Sequence, residues 1–216
     1  MKKLLIIILM LTVVDGFAQD TLSTQVFSLT PLAMKTDKVN GFAFGLGHLW
    51  NNTPKKRLTV NGLNVELNPA LPFALLFMDP SKAGNEDQYV TINGLHLSTF
   101  GIMSNGKING LGISGFNVGL ESANGLMINV LYNFSGQMNG IHISGLGNSA
   151  TQVAGVQVAL YNKAFGLYGL QAGVINEAVA VYGLQIGLYN KATKVRGLQV
   201  GLWNINEKRS MPFVNW

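Results

Sequence analysis

The feature that most constrains this chain is a glycine that returns at a short, nearly constant interval. It falls at Gly94, Gly110, Gly125, Gly140, Gly155, Gly169, Gly183 and Gly197, and weaker copies open at Gly41 and Gly62. The last three copies read GLQAGVINEAVAVY, GLQIGLYNKATKVR and GLQVGLWN. A fixed period of this kind sets the architecture before any local element is assigned.

Each copy repeats the same chemistry at the same offset. An apolar residue stands two before the glycine, as in Val153, Leu167, Val181 and Val195. Others stand one, three and five after it, as in Leu184, Ile186 and Leu188. Asn stands seven after it at Asn117, Asn162, Asn176, Asn190 and Asn204, and Ala nine after it at Ala164, Ala178 and Ala192. Apolar offsets of +1, +3 and +5 separated by polar or small residues have the period of a half-buried β-strand. The glycine and β-branched content opposes helix. The chain reads as all-β.

Two all-β architectures fit. The first is a parallel β-solenoid with one coil per 14–15-residue repeat. Fourteen residues at about 3.3 Å give roughly 46 Å of path, enough for two short strands and two turns. The glycine then makes a corner that repairs the phase break between −2 and +1. Asn stacks on Asn at the opposite turn, and Gln157, Gln171, Gln185 and Gln199 form a ladder on the outer face. The alternative is an outer-membrane antiparallel β-barrel with one strand per repeat. Leu184, Ile186 and Leu188 would then face lipid, and Gly183, Gln185, Gly187 and Tyr189 the lumen. Against the barrel, the aliphatic stripe spans only about 13 Å where a band of roughly 25 Å is needed, and the turns do not alternate between short and long. The solenoid is the preferred reading.

Residues 1–18 read as a signal peptide. Lys2 and Lys3 precede an apolar run from Leu4 to Val14, and Gly16-Phe17-Ala18 supplies a small-residue cleavage site before Gln19. About eleven apolar residues are too few for a membrane span of roughly 20. Residues 19–91 read as an N-terminal cap over Thr21–Lys38, followed by degenerate repeats with two loop insertions. Residues 92–206 hold the regular repeats. Residues 207–216 read as a C-terminal cap, in which Pro212 stops strand pairing and Phe213 and Trp216 cover the last coil.

Composition narrows the chemistry. The 216 residues are 48% apolar and only 12% charged, which excludes a disordered chain. The absence of cysteine excludes disulfide scaffolds, Cys-ligated zinc and thiol catalysis. Losing the leader removes Lys2, Lys3 and Asp15 and leaves 13 basic against 9 acidic residues, dispersed along the chain. The densest basic run, Lys55-Lys56-Arg57, reads as a solvated loop, and no nucleic-acid partner is expected.

Candidate chemistry is sparse. His96 and His142 share the column two after the glycine, but three coils apart they stand about 14 Å from one another, too far for one metal. Glu86-Asp87 lacks the alternating acids of a calcium loop. Ser98, Ser114 and Ser144 have no repeating His or Asp partner, and the Gly-x-Gly phrases lack the following helix of a dinucleotide site. No enzyme, cofactor or metal is expected. The most suggestive surface joins the Gln ladder (Gln157, Gln171, Gln185, Gln199) to an aromatic column at +6 (Phe116, Tyr161, Tyr189, Trp203). Such a face can stack on sugars or pack on a protein, or its rings can simply cover the +4 glycines of the next coil.

The phrase Gly-Leu-Gln-x-Gly-Leu-x-Asn, present as GLQIGLYN and GLQVGLWN, resembles a family of bacterial surface repeats in exported proteins of diderm bacteria. The resemblance covers roughly residues 92–206, while the copies from Gly94 to Gly140 carry His, Gly or Met in the Gln column. It implies location in the cell envelope, outer membrane or cell surface, and carries no catalytic residues. The expected function is structural or adhesive, with a glycan, an envelope protein or a second copy as partner. A small outer-membrane barrel acting as channel or anchor is the alternative.

Overall fold

The computed structural model describes residues 23–30, 36–46, 56–68 and 88–216. The leader with its cleavage site, His48, most of both insertions and positions 81–87 lie outside the described residues. Within them are seven strands and no helix: β1 Ser23–Thr30, β2 Thr36–Gly45, β3 Lys56–Glu66, β4 Gln88–Ser98, β5 Gly101–Ser144, β6 Gly147–Ile205 and β7 Ser210–Asn215. At 44 and 59 residues, β5 and β6 each run through several copies of the sequence repeat.

All seven lie in one sheet in chain order. Every pairing from β1 to β6 is parallel, and only β7 runs antiparallel to its neighbour. The register places glycine on glycine: Gly41 on Gly62, Gly62 on Gly94, Gly94 on Gly110, and Gly140 on Gly155. This mostly parallel sheet does not close, which is consistent with a β-solenoid. It is not the antiparallel barrel. A barrel strand reverses at each turn, whereas here each copy returns in the same direction. Part of the expected N-terminal cap is itself sheet, since β1 pairs in parallel with β2.

The glycine column is fixed by close approach. Gly140 has φ +111°, and a Cβ there would fall on the carbonyl oxygen of Gly125; Gly125, also at +111°, stands in the same way over Gly110. Neither the dihedral nor the space admits an L side chain.

Facing follows the strand period but with a sense opposite to the expected one. The −2 residues are buried: Val39, Val60, Ile92, Ile108, Ala123, Met138, Val153, Leu167 and Val181. With Ala150, Ala164 and Ala192 they form a slender apolar core. The +2 residues are buried too, including His96, His142, Gln157, Gln171, Gln185 and Gln199. The apolar residues at +1, +3 and +5 face outward. The −2 and +2 positions are an even number of residues apart, so no phase break falls at the glycine; the inward residues at +7 and +9, Asn162 and Ala164 among them, have the opposite parity, so the breaks lie elsewhere in each copy.

At the C-terminal end, pairing does not stop at Pro212. The register shifts there, with Met211 opposite Asn204 and Phe213 opposite Gly201. A residue without an N–H is tolerated at such an irregularity. Phe213 takes φ +65° and exposes its ring, and Trp216 is also exposed, with the Arg209 guanidinium 4.1 Å from its ring centre.

Gly140→Ala should destabilise the chain by roughly 3 kcal/mol, the sum of a positive-φ penalty and overpacking. The exposed Thr151→Ala should change stability by less than about 0.5 kcal/mol. Chemical denaturation followed by circular dichroism compares the two.

Candidate functional site

The outward face is built from three columns in ten copies. Of those positions only Thr99, Gly115 and Gly145 lack an apolar side chain, and none is charged. Phe44, Leu67, Ile113, Ile128, Val130, Ile141, Ile143, Val158, Leu160, Val174, Ile186, Leu188, Leu198 and Leu202 are exposed; Val130 reaches 71%. Monomeric proteins seldom show contiguous apolar patches beyond a few hundred Å², so this face needs an explanation.

One border of the stripe is the −1 column. Asn61, Asn93, Asn109, Asn124 and Asn139 each donate a side-chain N–H to the Asn of the preceding copy at 2.6–2.7 Å, starting from Asn40. Farther along, Tyr168 and Tyr182 stack with centroids 4.8 Å apart, and Arg196 lies 5.6 Å above the Tyr182 ring. A flat sheet spacing of about 4.8 Å is what allows like rings and like amides to stack.

The aromatic column at +6 is uneven. Phe116 is buried, Tyr161 and Tyr189 are half-buried, and Trp203 is exposed. The Tyr161 hydroxyl donates to Glu177 Oε2 at 2.8 Å. Burial, assisted by this bond to a carboxylate, pushes its pKa up to about 12.

The four glutamines expected on that surface are not there. Gln157, Gln171, Gln185 and Gln199 are wholly buried, and each amide from Gln171 on donates to the preceding one at 2.8 Å. Asn215 of β7 donates to Gln199 Oε1 and so continues the ladder. Beside it run Asn148, Asn162, Asn176, Asn190 and Asn204, linked at 2.8–3.1 Å. Asn176 and Asn190 also donate to the carbonyls of Ile186 and Val200. The second glycine of the repeat makes room for this: a Cβ on Gly187 would meet Asn176 Nδ2 at 2.5 Å. An amide that donates and accepts along the stack is satisfied by its own copies, which offsets the cost of burial.

Both described histidines are buried in this inner column, not displayed on a face. Burial pulls the His142 pKa down to about 4, against a raising hydrogen bond with the Asn139 backbone. Its Nδ1 lies 3.2 Å from Asn133 Nδ2. The sequence reading missed a second buried group, in which Asn64 and Asn68 donate to the two oxygens of Glu66 at 2.8 and 3.0 Å. Asn64 Nδ2 also lies 3.0 Å from His96 Nδ1. Asn64 and His96 both stand at +2, so the column itself carried that signal. Among the described residues no group of three His, Asp or Glu is placed to hold a metal ion.

Two further features lie away from the stripe. A groove of about 670 Å³ includes Phe134, Ser149, Thr151, Lys163 and Phe165 in its lining. On the surface, Tyr89 donates to Glu121 Oε2 at 2.7 Å, and Lys107 Nζ is 3.1 Å from Glu121 Oε1. The Tyr89 and Lys107 hydrogen bonds hold the Glu121 carboxyl below its ordinary range. None of the three groups of this surface cluster lines the groove.

No family model matches the chain, and neither a curated protein nor a solved structure matches it.

Gln185→Leu should cost about 2–4 kcal/mol, because it strips partners from Gln171 Oε1 and Gln199 Nε2 together. Ile186→Ala, the next position along and on the outward face, should cost under about 1 kcal/mol in the isolated chain. His142 has a folded pKa below its unfolded value, so the unfolded chain takes the proton first. Stability is therefore fully present above about pH 6.5 and falls as pH drops toward about 4, by up to roughly 3 kcal/mol. Denaturation midpoints across that range should flatten in His142→Gln, which supplies the residue the inner column carries elsewhere.

Proposed function

We propose that this chain is an exported, non-enzymatic protein of the cell envelope or surface, with a structural or adhesive role. Its 14–15-residue repeats wind as coils of a parallel β-solenoid. The observation that carries this reading is the uncharged aliphatic stripe along the +1, +3 and +5 columns. A face of that kind offers area and regularity to a partner, but no polar groups aimed at a reacting atom. The resemblance of GLQIGLYN and GLQVGLWN to bacterial surface repeats supports the envelope assignment, as does the leader-like sequence of residues 1–18.

The contact face in this proposal is not the Gln–aromatic surface. Gln157, Gln171, Gln185 and Gln199 serve the interior, so of the original set only Tyr161, Tyr189 and Trp203 border the outside. A membrane anchor is the second reading, favoured by the same apolar face. A channel is disfavoured, because the sheet is open and largely parallel.

Expression of the full chain in a diderm bacterium, followed by fractionation and N-terminal sequencing, tests the proposal. The expected product begins at Gln19 and is found in the envelope fraction, sensitive to protease added to intact cells. A cytoplasmic product that keeps residues 1–18 would overturn it.

A further inference from the structure

We infer that the outward apolar stripe is a homodimer interface, on which a second copy of this chain docks sheet face to sheet face. This deepens the reading of that face as a contact surface and is independent of export, so a monomer would leave the envelope assignment standing.

Area is the first argument. Ten copies at about 4.8 Å and a width of four residue rises give a face of about 43 by 13 Å, roughly 560 Å². Two such faces together bury about 1,100 Å², just above the roughly 1,000 Å² that a biological interface should clear. The face is also uncharged and apolar at all but Thr99, Gly115 and Gly145, as the centre of a homodimer interface tends to be.

Periodicity is the second. The stripe is a set of parallel rows of Leu, Ile and Val side chains spaced by the strand separation. A surface that matches those rows along their whole length must carry the same spacing, and another copy of this chain does. Rows of one copy can then seat between rows of the other, as in packed sheets about 10 Å apart. The missing side chains at Gly115 and Gly145 leave hollows in the +5 column, while Val130 between them projects most strongly.

Charge is the third. The stripe carries none, and its −1 border is neutral from Asn40 to Asn139. Arg196 is the one cation on that border. Lys163, Glu177 and Lys191 belong to the +8 column, beyond the buried Asn ladder. The net charge of +5 therefore creates little repulsion at the seam itself. A lipid surface, by contrast, is recognised by an apolar face with a basic rim. Here Arg196 stands on the −1 border and Lys38, Lys107 and Lys194 two positions farther out, with Lys107 paired to Glu121, a sparse rim that favours the second copy.

Sedimentation velocity of the purified chain in detergent-free buffer, from 0.5 to 50 µM, tests the inference. The expected species has twice the mass of one chain, which is 23.3 kDa with residues 1–18 and less once they are removed. Changing Ile128, Val158 and Ile186 together to Lys should raise the dimer dissociation constant at least 100-fold with the circular dichroism spectrum unchanged. Single cysteines introduced in this cysteine-free chain give a readout that does not depend on the triple variant folding. A short bis-maleimide should join two chains through Val130→Cys, Val158→Cys or Ile186→Cys, but not through Lys191→Cys. A wild-type monomer at 50 µM, a dimer that survives the folded triple variant, or cross-linking through position 191 alone would overturn the inference. So would capture of wild-type monomers by phosphatidylcholine vesicles that the triple variant loses.

Discussion

The structure depends on side-chain amides that bond to their own copies along the sheet. Gln157 to Gln199 and Asn148 to Asn204 form two such files, each amide giving an N–H backward or forward and receiving one in turn. This arrangement needs successive copies in parallel and in register, since a slip by a single position would turn every amide outward. It also needs a backbone that approaches closely, which the glycine columns provide. Each column of the repeat is thus a condition for the next: Gly for approach, Gln and Asn for the files, a second Gly for the Asn side chain.

A polar interior has a consequence for the surface. A repeat this short has few inward positions, and here several are taken by Gln, Asn, Gly and Ala. The apolar core is left narrow, with one large residue per copy at −2 and Ala at +9. The aliphatic residues that would fill an ordinary core stand outside instead. Burial of those residues requires something beyond the single chain, which connects the amide files inside to the docking face outside. In the same way β7 completes the interior more than it shields the end: Asn215 extends the Gln file, and Asn204 donates to the Met211 carbonyl.

Legibility varied along the chain for physical reasons. The strand period and the −2 core could be read from offsets alone, and the structure bears out an all-β chain with glycine paired on glycine; the glycine is not the expected corner, since it lies within the strands and is fixed by close approach. The facing of Gln185 and Leu184 could not. Alternation says that they lie on opposite faces, but hydropathy assigns the inside to Leu, and hydropathy fails when an amide has a copy of itself to bond. The barrel alternative had these faces the right way round with the wrong strand direction, and the solenoid had the direction with the wrong faces. Asn64 and Glu66 were not connected with His96 because they belong to a different copy, distant in the chain, and the groups meet only through register.

By itself, the sequence determined that the chain is built of β structure repeating at a nearly constant interval, with one glycine returning at the same place in each copy. Those properties follow from local sterics and side-chain period. Only the tertiary structure decided that neighbours run parallel, that the amides turn inward and that Leu, Ile and Val turn outward. Those choices depend on whether a buried amide finds a partner one copy away, and that is a property of the stack, not of any single repeat.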